Sequence, residues 1–187
     1  MQVEPTRLPE VLEITPKRFG DERGFFSESW NRESWAAVGL DYDFCQDNHS
    51  LSAAAGVLRG LHFQAPPRAQ DKLVRVVTGA VLDVAVDIRK GSPRFGQWVA
   101  VELSAENGKQ LLVPRGFAHG FLTLKPNTHF LYKCTDTYAP ETEGAIRWDD
   151  PDLGIRWGVS PSNITLSDKD KIAPLLAEID SPFTYES

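Results

Sequence analysis

The stretch Ala80-Val81-Leu82-Asp83-Val84-Ala85-Val86-Asp87-Ile88 shows the pattern that decides the fold of this chain. From Leu82 onward, the residues at every second position are apolar: Leu82, Val84, Val86 and Ile88. Asp83 and Asp87 lie at the positions between them. Because successive side chains of a β-strand point to opposite faces, this stretch is predicted to be a strand. One of its faces is wholly apolar, and the other carries two carboxylates.

Similar segments lie on both sides of this strand, and turn residues rather than helical repeats separate them. Upstream, strands are predicted at residues 11–14, 25–30, 44–50 and 57–64. Downstream, from Lys72 onward, they are predicted at residues 98–103, 110–114, 118–123 and 129–135, with turns at 107–108, 115–116 and 126–127. Consecutive strands without intervening helices predict an antiparallel sandwich or barrel.

Two helices are predicted outside this strand pattern. Asn31 is a suitable N-cap for a short helix that runs to Val38 and ends at Gly39. A second helix is predicted from about residue 167 to residue 179, interrupted or bent near Pro174. The chain is therefore expected to be mainly β with a few short helices, one of them near the C-terminus.

Length and composition restrict the classes of protein to consider. A chain of 187 residues with 41% hydrophobic residues fits one domain, residues 1–187. The net charge of -6 and the pI near 5.2 do not indicate a protein that binds nucleic acid or an anionic membrane surface. No stretch has the length of a membrane span and no leader is recognisable, so we expect a cytoplasmic protein. Cys45 and Cys134 are expected to be reduced thiols.

The segment Arg59-Gly60-Leu61-His62-Phe63-Gln64 is the first candidate for a functional site. Its apolar residues suit a half-buried strand, whereas Arg59, His62 and Gln64 are unusual there. A single histidine could equally be a structural core residue. In a regular strand Arg59 and His62 would point to opposite faces, so we predict that Gly60 permits a bulge or twist that turns both toward one pocket.

A metal site is not expected here. Pro114-Arg115-Gly116-Phe117-Ala118-His119 has the Pro-x-Gly-x-x-His form of the second cupin motif. The first cupin motif requires a His-x-His pair, and this chain has His62-Phe63-Gln64 in that place. Metals that prefer imidazole usually take three or four protein ligands, so the loss of one histidine argues against a bound metal.

Five ordered segments resemble the signature blocks of the dTDP-4-dehydrorhamnose 3,5-epimerase family. They are residues 19–28, 46–50, 57–64, 83–89 and 114–121, and the resemblance spans roughly residues 10 to 176. It implies a cupin-type antiparallel jelly-roll barrel, a homodimer that exchanges N-terminal strands, and no metal or organic cofactor. The implied reaction inverts C3 and C5 of a dTDP-4-keto-6-deoxyhexose in dTDP-L-rhamnose biosynthesis.

The same resemblance implies roles for individual residues. Inverting a carbon beside a ketone needs a base, an acid on the opposite face and a donor for the developing oxyanion. The implied catalytic residues are His62 as base, Asp170 as its partner, Tyr132 as acid and Lys72 at the oxyanion. The implied substrate-binding residues are Arg23, Phe26, Glu28, Gln46, Asn48, Arg59, His119, Tyr138, Glu143 and Lys169. Arg23 and Arg59 match diphosphate contacts, and Phe26 or Tyr138 could stack on thymine.

Several residues keep a second interpretation. Ser167 and Asp170 have capping-box spacing, so Asp170 could cap a helix, and Asp83 or Asp87 could orient His62 instead. Tyr132 could belong to an aromatic core with Phe130, and Lys72 could be a solvated lysine.

Two alternatives to the double epimerase also remain at this stage. One is a 3-epimerase, 5-epimerase or ketoisomerase of a related deoxysugar pathway. The other is a non-catalytic cupin that binds a sugar nucleotide.

Overall fold

Short antiparallel strands are the main secondary structure of this protein, whose computed structural model describes residues 1–186. The helical elements are α1 (Arg32–Ala36), α2 (Asp168–Lys171) and three 3-10 turns (Pro140–Thr142, Pro161–Asn163 and Leu176–Glu178). The strands are β1 (Gln2–Pro5), β2 (Leu12–Thr15), β3 (Arg18–Asp21), β4 (Gly24–Ser27), β5 (Gln46–Ser52), β6 (Leu58–Gln64), β7 (Lys72–Thr78), β8 (Ala80–Asp87), β9 (Trp98–Ser104), β10 (Gln110–Val113), β11 (Phe117–Thr123), β12 (Thr128–Cys134) and β13 (Glu143–Ala145).

The strands form two sheets that face each other. One sheet has the order β1-β2-β10-β7-β12-β5, and the other has the order β13-β6-β11-β8-β9. Their strand pairs are antiparallel, and strands distant in sequence are neighbours in both sheets. The mainly β, antiparallel jelly-roll fold predicted from the sequence is therefore confirmed. The pair β3-β4 forms a separate two-stranded hairpin, which we call the arm.

Strand β8 is buried on both faces. Val81 and Ala85 point between the two sheets, where they meet Val76, Phe121 and Phe130 of the inner core. The opposite face, with Val84 and Val86, is covered by side chains of the C-terminal segment: Leu153, Trp157, Leu176 and Phe183. The prediction of one wholly apolar face is confirmed. Asp83 and Asp87 alternate with these apolar residues, so their carboxylates share the face of Val81 and Ala85 between the two sheets and are fully buried.

Helix α1 has the N-terminus that was predicted. The Asn31 side chain accepts hydrogen bonds from the backbone N–H groups of Glu33 and Ser34, at 3.0 and 3.2 Å. Trp35 on this helix is fully buried against Leu73 and Leu112 on the outer face of the six-stranded sheet. Within residues 1–186, no helix is long and apolar enough to cross a membrane.

The helix predicted from residue 167 to residue 179 is interrupted near Pro174, as predicted, but its helical parts are shorter than predicted. The segment contains only the four-residue helix α2 and a separate 3-10 turn at Leu176–Glu178. Pro174 lies between them, and proline cannot donate the backbone hydrogen bond that a continuous helix needs. The chain is instead held by distant partners, since the N–H of Arg147 donates to the Pro174 carbonyl and the N–H of Leu176 donates to Asp150.

The bulge predicted at Gly60 is confirmed. His62 of β6 pairs with His119 of β11, and Arg59 pairs with Phe121, so three steps along β6 match two steps along β11. Gly60 has a φ of +123°, and a Cβ atom there would lie 2.6 Å from the Gly120 Cα. The close approach of two backbones therefore requires glycine at this position.

Gly60→Ala should destabilise the fold more than an ordinary glycine substitution does. We expect the free energy of unfolding to fall by about 2–4 kcal/mol, because the new Cβ collides with backbone atoms and the φ angle is unfavourable. Gly91→Ala is the matched control, since Gly91 has a φ of +80° but has no atom within 4 Å of the added Cβ. It should lose only about 1 kcal/mol. Equal losses in urea unfolding would contradict this explanation.

Candidate active site

A cavity of about 450 Å³ opens between the two sheets and the C-terminal segment. Strand β6 supplies its central residues, and β5, β11, β12 and α2 supply the other walls. Of the site residues predicted from the sequence, those that line it are Arg59, His62, His119, Tyr132, Lys169 and Asp170. Arg59 and His62 reach the same cavity, as the bulge at Gly60 predicts.

His62 and Asp170 form a hydrogen-bonded pair inside this cavity. The distance between His62 Nε2 and Asp170 Oδ1 is 2.6 Å, and Asp170 is only 3% exposed. Burial by itself would raise the pKa of Asp170, but the hydrogen bond and charge of His62, together with Ser167, bring this pKa below its ordinary value. Asp170 is therefore a carboxylate, and the His62 ring donates to it from Nε2. This leaves the second ring nitrogen, Nδ1, free to accept a proton.

Asp170 takes part in the cap of α2 through its backbone N–H, and its side chain is not the capping group. Ser167 is the N-cap of α2, and its hydroxyl accepts the backbone N–H of Asp170 at 3.2 Å. The Asp170 carboxylate contacts His62 instead. The short helix thus serves to hold a carboxylate behind the imidazole.

Tyr132 faces the cavity from the six-stranded sheet, whereas His62 belongs to the five-stranded sheet. Its ring packs beside Phe130, with 6.0 Å between the ring centroids, so the aromatic-core interpretation is partly right. Within residues 1–186 its hydroxyl makes no hydrogen bond. Burial raises the pKa of Tyr132, with a smaller contribution from Cys134. The phenol is therefore protonated and can donate a proton into the cavity.

A second histidine–carboxylate pair lies beside the first. His119 Nε2 is 2.9 Å from Asp83 Oδ1, and both side chains are buried. Burial raises the pKa of Asp83, although His119 and Lys72 oppose this shift. Asp87 contacts Arg89 and Ser92. Neither Asp83 nor Asp87 contacts His62, because Asp170 occupies that place.

Lys72 is not among the residues that line the cavity. Burial lowers the pKa of Lys72, and its neighbours Cys134, Asp83 and Glu143 oppose this shift. The lysine is therefore a largely desolvated group in the barrel and not the solvated strand-end residue of the alternative interpretation.

Four predicted binding residues form a hydrogen-bonded chain next to the cavity. The Gln46 amide donates to Asn48 at 3.1 Å, and the backbone N–H of Tyr138 donates to Gln46 at 2.9 Å. The Tyr138 hydroxyl donates to Glu143, which also pairs with Lys169 at 2.5 Å. Since Lys169 lines the cavity, this chain reaches its edge.

The remaining predicted residues lie on or next to the arm and do not line the cavity of this chain. Arg23 pairs with Asp21 on the arm, and Phe26 is 68% exposed. Glu28 accepts hydrogen bonds from Asn31 and Ser34 near the start of α1.

Gln64, which replaces the missing cupin histidine, has a structural role. Its amide nitrogen donates to the Thr137 carbonyl and its amide oxygen accepts the Ala139 N–H, both at 3.0 Å. Within residues 1–186, no group of three or more histidine, cysteine, aspartate or glutamate side chains is arranged to hold a metal ion.

Several residues of the cavity were not predicted from the sequence. They are Ser50, Val57, Leu58, Phe121, Phe130, Thr165, Leu166 and Ser167. Ser50 shares a strand face with Gln46 and Asn48 by simple alternation, so a signal for it existed. The C-terminal residues gave no such signal, because their position depends on tertiary contacts.

Comparison with known proteins identifies the relatives of this chain. The sequence model of the dTDP-4-dehydrorhamnose 3,5-epimerase family matches residues 5–178. The chain belongs to this family. It is 56% identical over 177 residues to the dTDP-4-dehydrorhamnose 3,5-epimerase of Salmonella typhimurium, a match that covers 94% of this chain and 96% of that protein.

Solved structures agree with this assignment to the family and its cupin fold. The dTDP-6-deoxy-D-glucose-3,5-epimerase of Legionella pneumophila, in complex with dTDP-4-keto-L-rhamnose, superposes with a TM-score of 0.94 at 48% identity, covering 100% of this chain and 99% of that chain. ChmJ, a 3'-monoepimerase from Streptomyces bikiniensis in complex with dTDP-quinovose, has a TM-score of 0.85 at 38% identity, covering 92% of this chain and 87% of that chain.

The two buried carboxylates should make stability depend on pH in opposite ways. The pKa of Asp170 is lowered in the fold, so its stabilisation is present above about pH 4 and is lost as the pH falls further. The stability advantage of wild type over Asp170→Asn should therefore shrink on acidification. The pKa of Asp83 is raised, so wild type should gain relative to Asp83→Asn as the pH falls. Urea unfolding between pH 7 and pH 3 measures both, and equal signs would refute the assignment.

Proposed function

We propose that this protein is a 3,5-epimerase of a dTDP-4-keto-6-deoxyhexose in dTDP-L-rhamnose biosynthesis and that it works with side chains alone. The observation that carries the proposal is the arrangement of His62, Asp170 and Tyr132 in one cavity. An imidazole held by a buried carboxylate is a base, and a protonated phenol from the opposite sheet is an acid.

The reaction requires only proton transfers next to the 4-keto group. His62 Nδ1 removes the proton of C5 and the carbonyl becomes an enolate. Tyr132 then gives its hydroxyl proton to the opposite face of the same carbon, which inverts it. Proton exchange with solvent restores both residues, and the same two steps at C3 complete the double epimerisation. Asp170 stabilises the imidazolium that forms after each abstraction.

The enolate oxygen needs a donor or a cation in a dry place. His119 is fixed by Asp83 on the cavity wall, and the desolvated Lys72 lies near the same carboxylate. We assign His119 to the oxyanion itself, with Lys72 behind the cavity wall as a source of positive charge. Positive charge acts more strongly there than it would in water.

The diphosphate of the substrate is negatively charged, and so is the protein as a whole, with a net charge of -6. Binding it therefore requires a local positive charge. Arg59 is exposed at the cavity, and within residues 1–186 it has no carboxylate partner at 4.0 Å or less. Its guanidinium is therefore available to phosphate oxygens. The chain of Gln46, Asn48, Tyr138 and Glu143 borders the same opening and would contact the nucleotide.

A homodimer would complete the nucleotide end. Strand β5 is at the edge of the six-stranded sheet, so half of its backbone groups can pair with another strand. The arm exposes Phe19, Phe25 and Phe26, which are 55%, 62% and 68% exposed. Exchange of the N-terminal strands between two copies would cover these rings. It would also bring Arg23, Phe26 and Glu28 to the cavity of the partner subunit.

Single-position epimerisation is the second candidate. The likeness to the 3'-monoepimerase ChmJ favours it, since the same fold carries that outcome. Tyr132 fits either outcome, because inversion of one carbon or of two needs the same acid, and the 56% identity to the Salmonella typhimurium 3,5-epimerase favours double epimerisation. A non-catalytic binding protein is a weaker candidate, because binding needs neither the buried carboxylate behind His62 nor the protonated phenol.

Deuterium incorporation separates these functions. The protein should exchange deuterium into both C3 and C5 when it is incubated with dTDP-4-keto-6-deoxyglucose in heavy water. Exchange at one carbon supports a single-position epimerase, and no exchange rejects the enzyme for this substrate. His62→Ala should abolish exchange, since it removes the base, and an unchanged circular dichroism spectrum would show that the fold is intact.

Asp170→Asn should lower the epimerisation rate by about 10²- to 10⁴-fold, because His62 loses the charge that stabilises its protonated form. Asp168→Asn is the matched control on the same helix. Asp168 is exposed and, among residues 1–186, its side chain pairs with Lys171 alone, so its loss should leave the rate unchanged. Equal rate losses for the two variants would show that the rate depends on the integrity of the helix and not on the carboxylate behind His62.

A further inference from the structure

Ser50 has an unusual environment. It lies on β5 opposite Phe130 of β12 and lines the cavity. Its hydroxyl oxygen is buried from solvent and, within residues 1–186, has no hydrogen-bond partner. A buried hydroxyl without a partner costs about 1–3 kcal/mol, so a hydroxyl at a cavity wall is best explained by a ligand atom that satisfies it.

The two polar residues that precede Ser50 on its face of β5 are already engaged. Gln46 and Asn48, on the same face, are hydrogen-bonded to each other, and Asn48 also contacts Cys134. Ser52, also on this face, is unpartnered within residues 1–186 as well, but it does not line the cavity, so Ser50 is the residue of this face whose free hydrogen bond a molecule in the cavity can use.

The position of Arg59 indicates which part of a ligand Ser50 would meet. The Arg59 guanidinium donates to the backbone carbonyl of Leu51 at 3.4 Å, which places the cation beside the residue that follows Ser50. Both side chains line the same cavity. A hydroxyl donor next to a free guanidinium matches an anionic oxygen rather than an apolar or cationic group.

We infer that Ser50 is a substrate-binding residue whose hydroxyl donates a hydrogen bond to the diphosphate of the nucleotide sugar, beside Arg59. The inference rests on the proposed function for the identity of the ligand. Its consequence is that the β5 wall fixes the depth at which the diphosphate sits. The sugar is thereby placed between His62 and Tyr132.

Ser50→Ala should weaken the binding of dTDP about tenfold, as expected for the loss of one hydrogen bond to a charged group. The KM for the nucleotide sugar should rise by a similar factor while kcat stays within about twofold. Ser52→Ala is the matched control, because the Ser52 hydroxyl is also buried and unpartnered within residues 1–186 but does not line the cavity. It should leave the binding of dTDP unchanged.

Titration calorimetry with dTDP and with thymidine tests the contact between Ser50 and the diphosphate by binding alone, so it does not depend on catalytic activity. Weaker dTDP binding with unchanged thymidine binding supports the diphosphate contact, even if deuterium exchange shows that the epimerase function is wrong. Unchanged dTDP binding by Ser50→Ala overturns the inference, as does a rise in KM for the nucleotide sugar alone, which would place the hydroxyl at the sugar. Equal effects of Ser50→Ala and Ser52→Ala also overturn it, because they would indicate a change in the strand.

Discussion

The hydrogen bond between His62 and Asp170 joins residues 108 positions apart, and the arrangement of the site depends on it. A helix of four residues has no stability of its own, so α2 exists because Ser167 caps it and the C-terminal segment is anchored. That segment also covers the apolar face of β8. The packing that completes the core therefore also delivers the carboxylate to the imidazole.

Strand β8 shows how one sheet face can hold two carboxylates with different properties. Asp87 accepts hydrogen bonds from Arg89 and Ser92, and these lower its pKa despite burial. Asp83 has His119 on one oxygen, while its other oxygen is buried without a partner among residues 1–186. Burial is then the larger effect and raises the pKa of Asp83. The first carboxylate stabilises the end of a strand, whereas the second retains an unsatisfied polar atom beside the site, as functional groups often do.

Local sequence patterns predicted those parts of the fold that depend on interactions between residues close together in the chain. Alternation identified β8, Asn31 was recognised as a cap, and the three-residue spacing of Arg59 and His62 predicted the bulge at Gly60. The break near Pro174 was predicted as well, but the helical parts on either side of it are shorter than predicted, because distant backbone partners override the local helical pattern. The pairing of Asp83 with His119 depends on the register of β8 with β11, in which the two residues are not directly opposite. This register cannot be read from a single sequence, because it depends on how two distant strands pair in the fold.

A single chain contains the proposed proton-transfer groups in one cavity, but not all of the proposed nucleotide-binding residues. The positions of these residues in the fold explain the difference. The base and the acid stand on rigid strands of opposite sheets, so the distance between the sheets limits what fits between them. These groups, with Asp170 behind the base, are all present in a single chain. The nucleotide end is different, because Arg23 and Phe26 lie on an exposed arm away from the cavity. On the proposed function, association of two chains therefore affects substrate binding first, whereas the proton-transfer groups are already assembled in each chain.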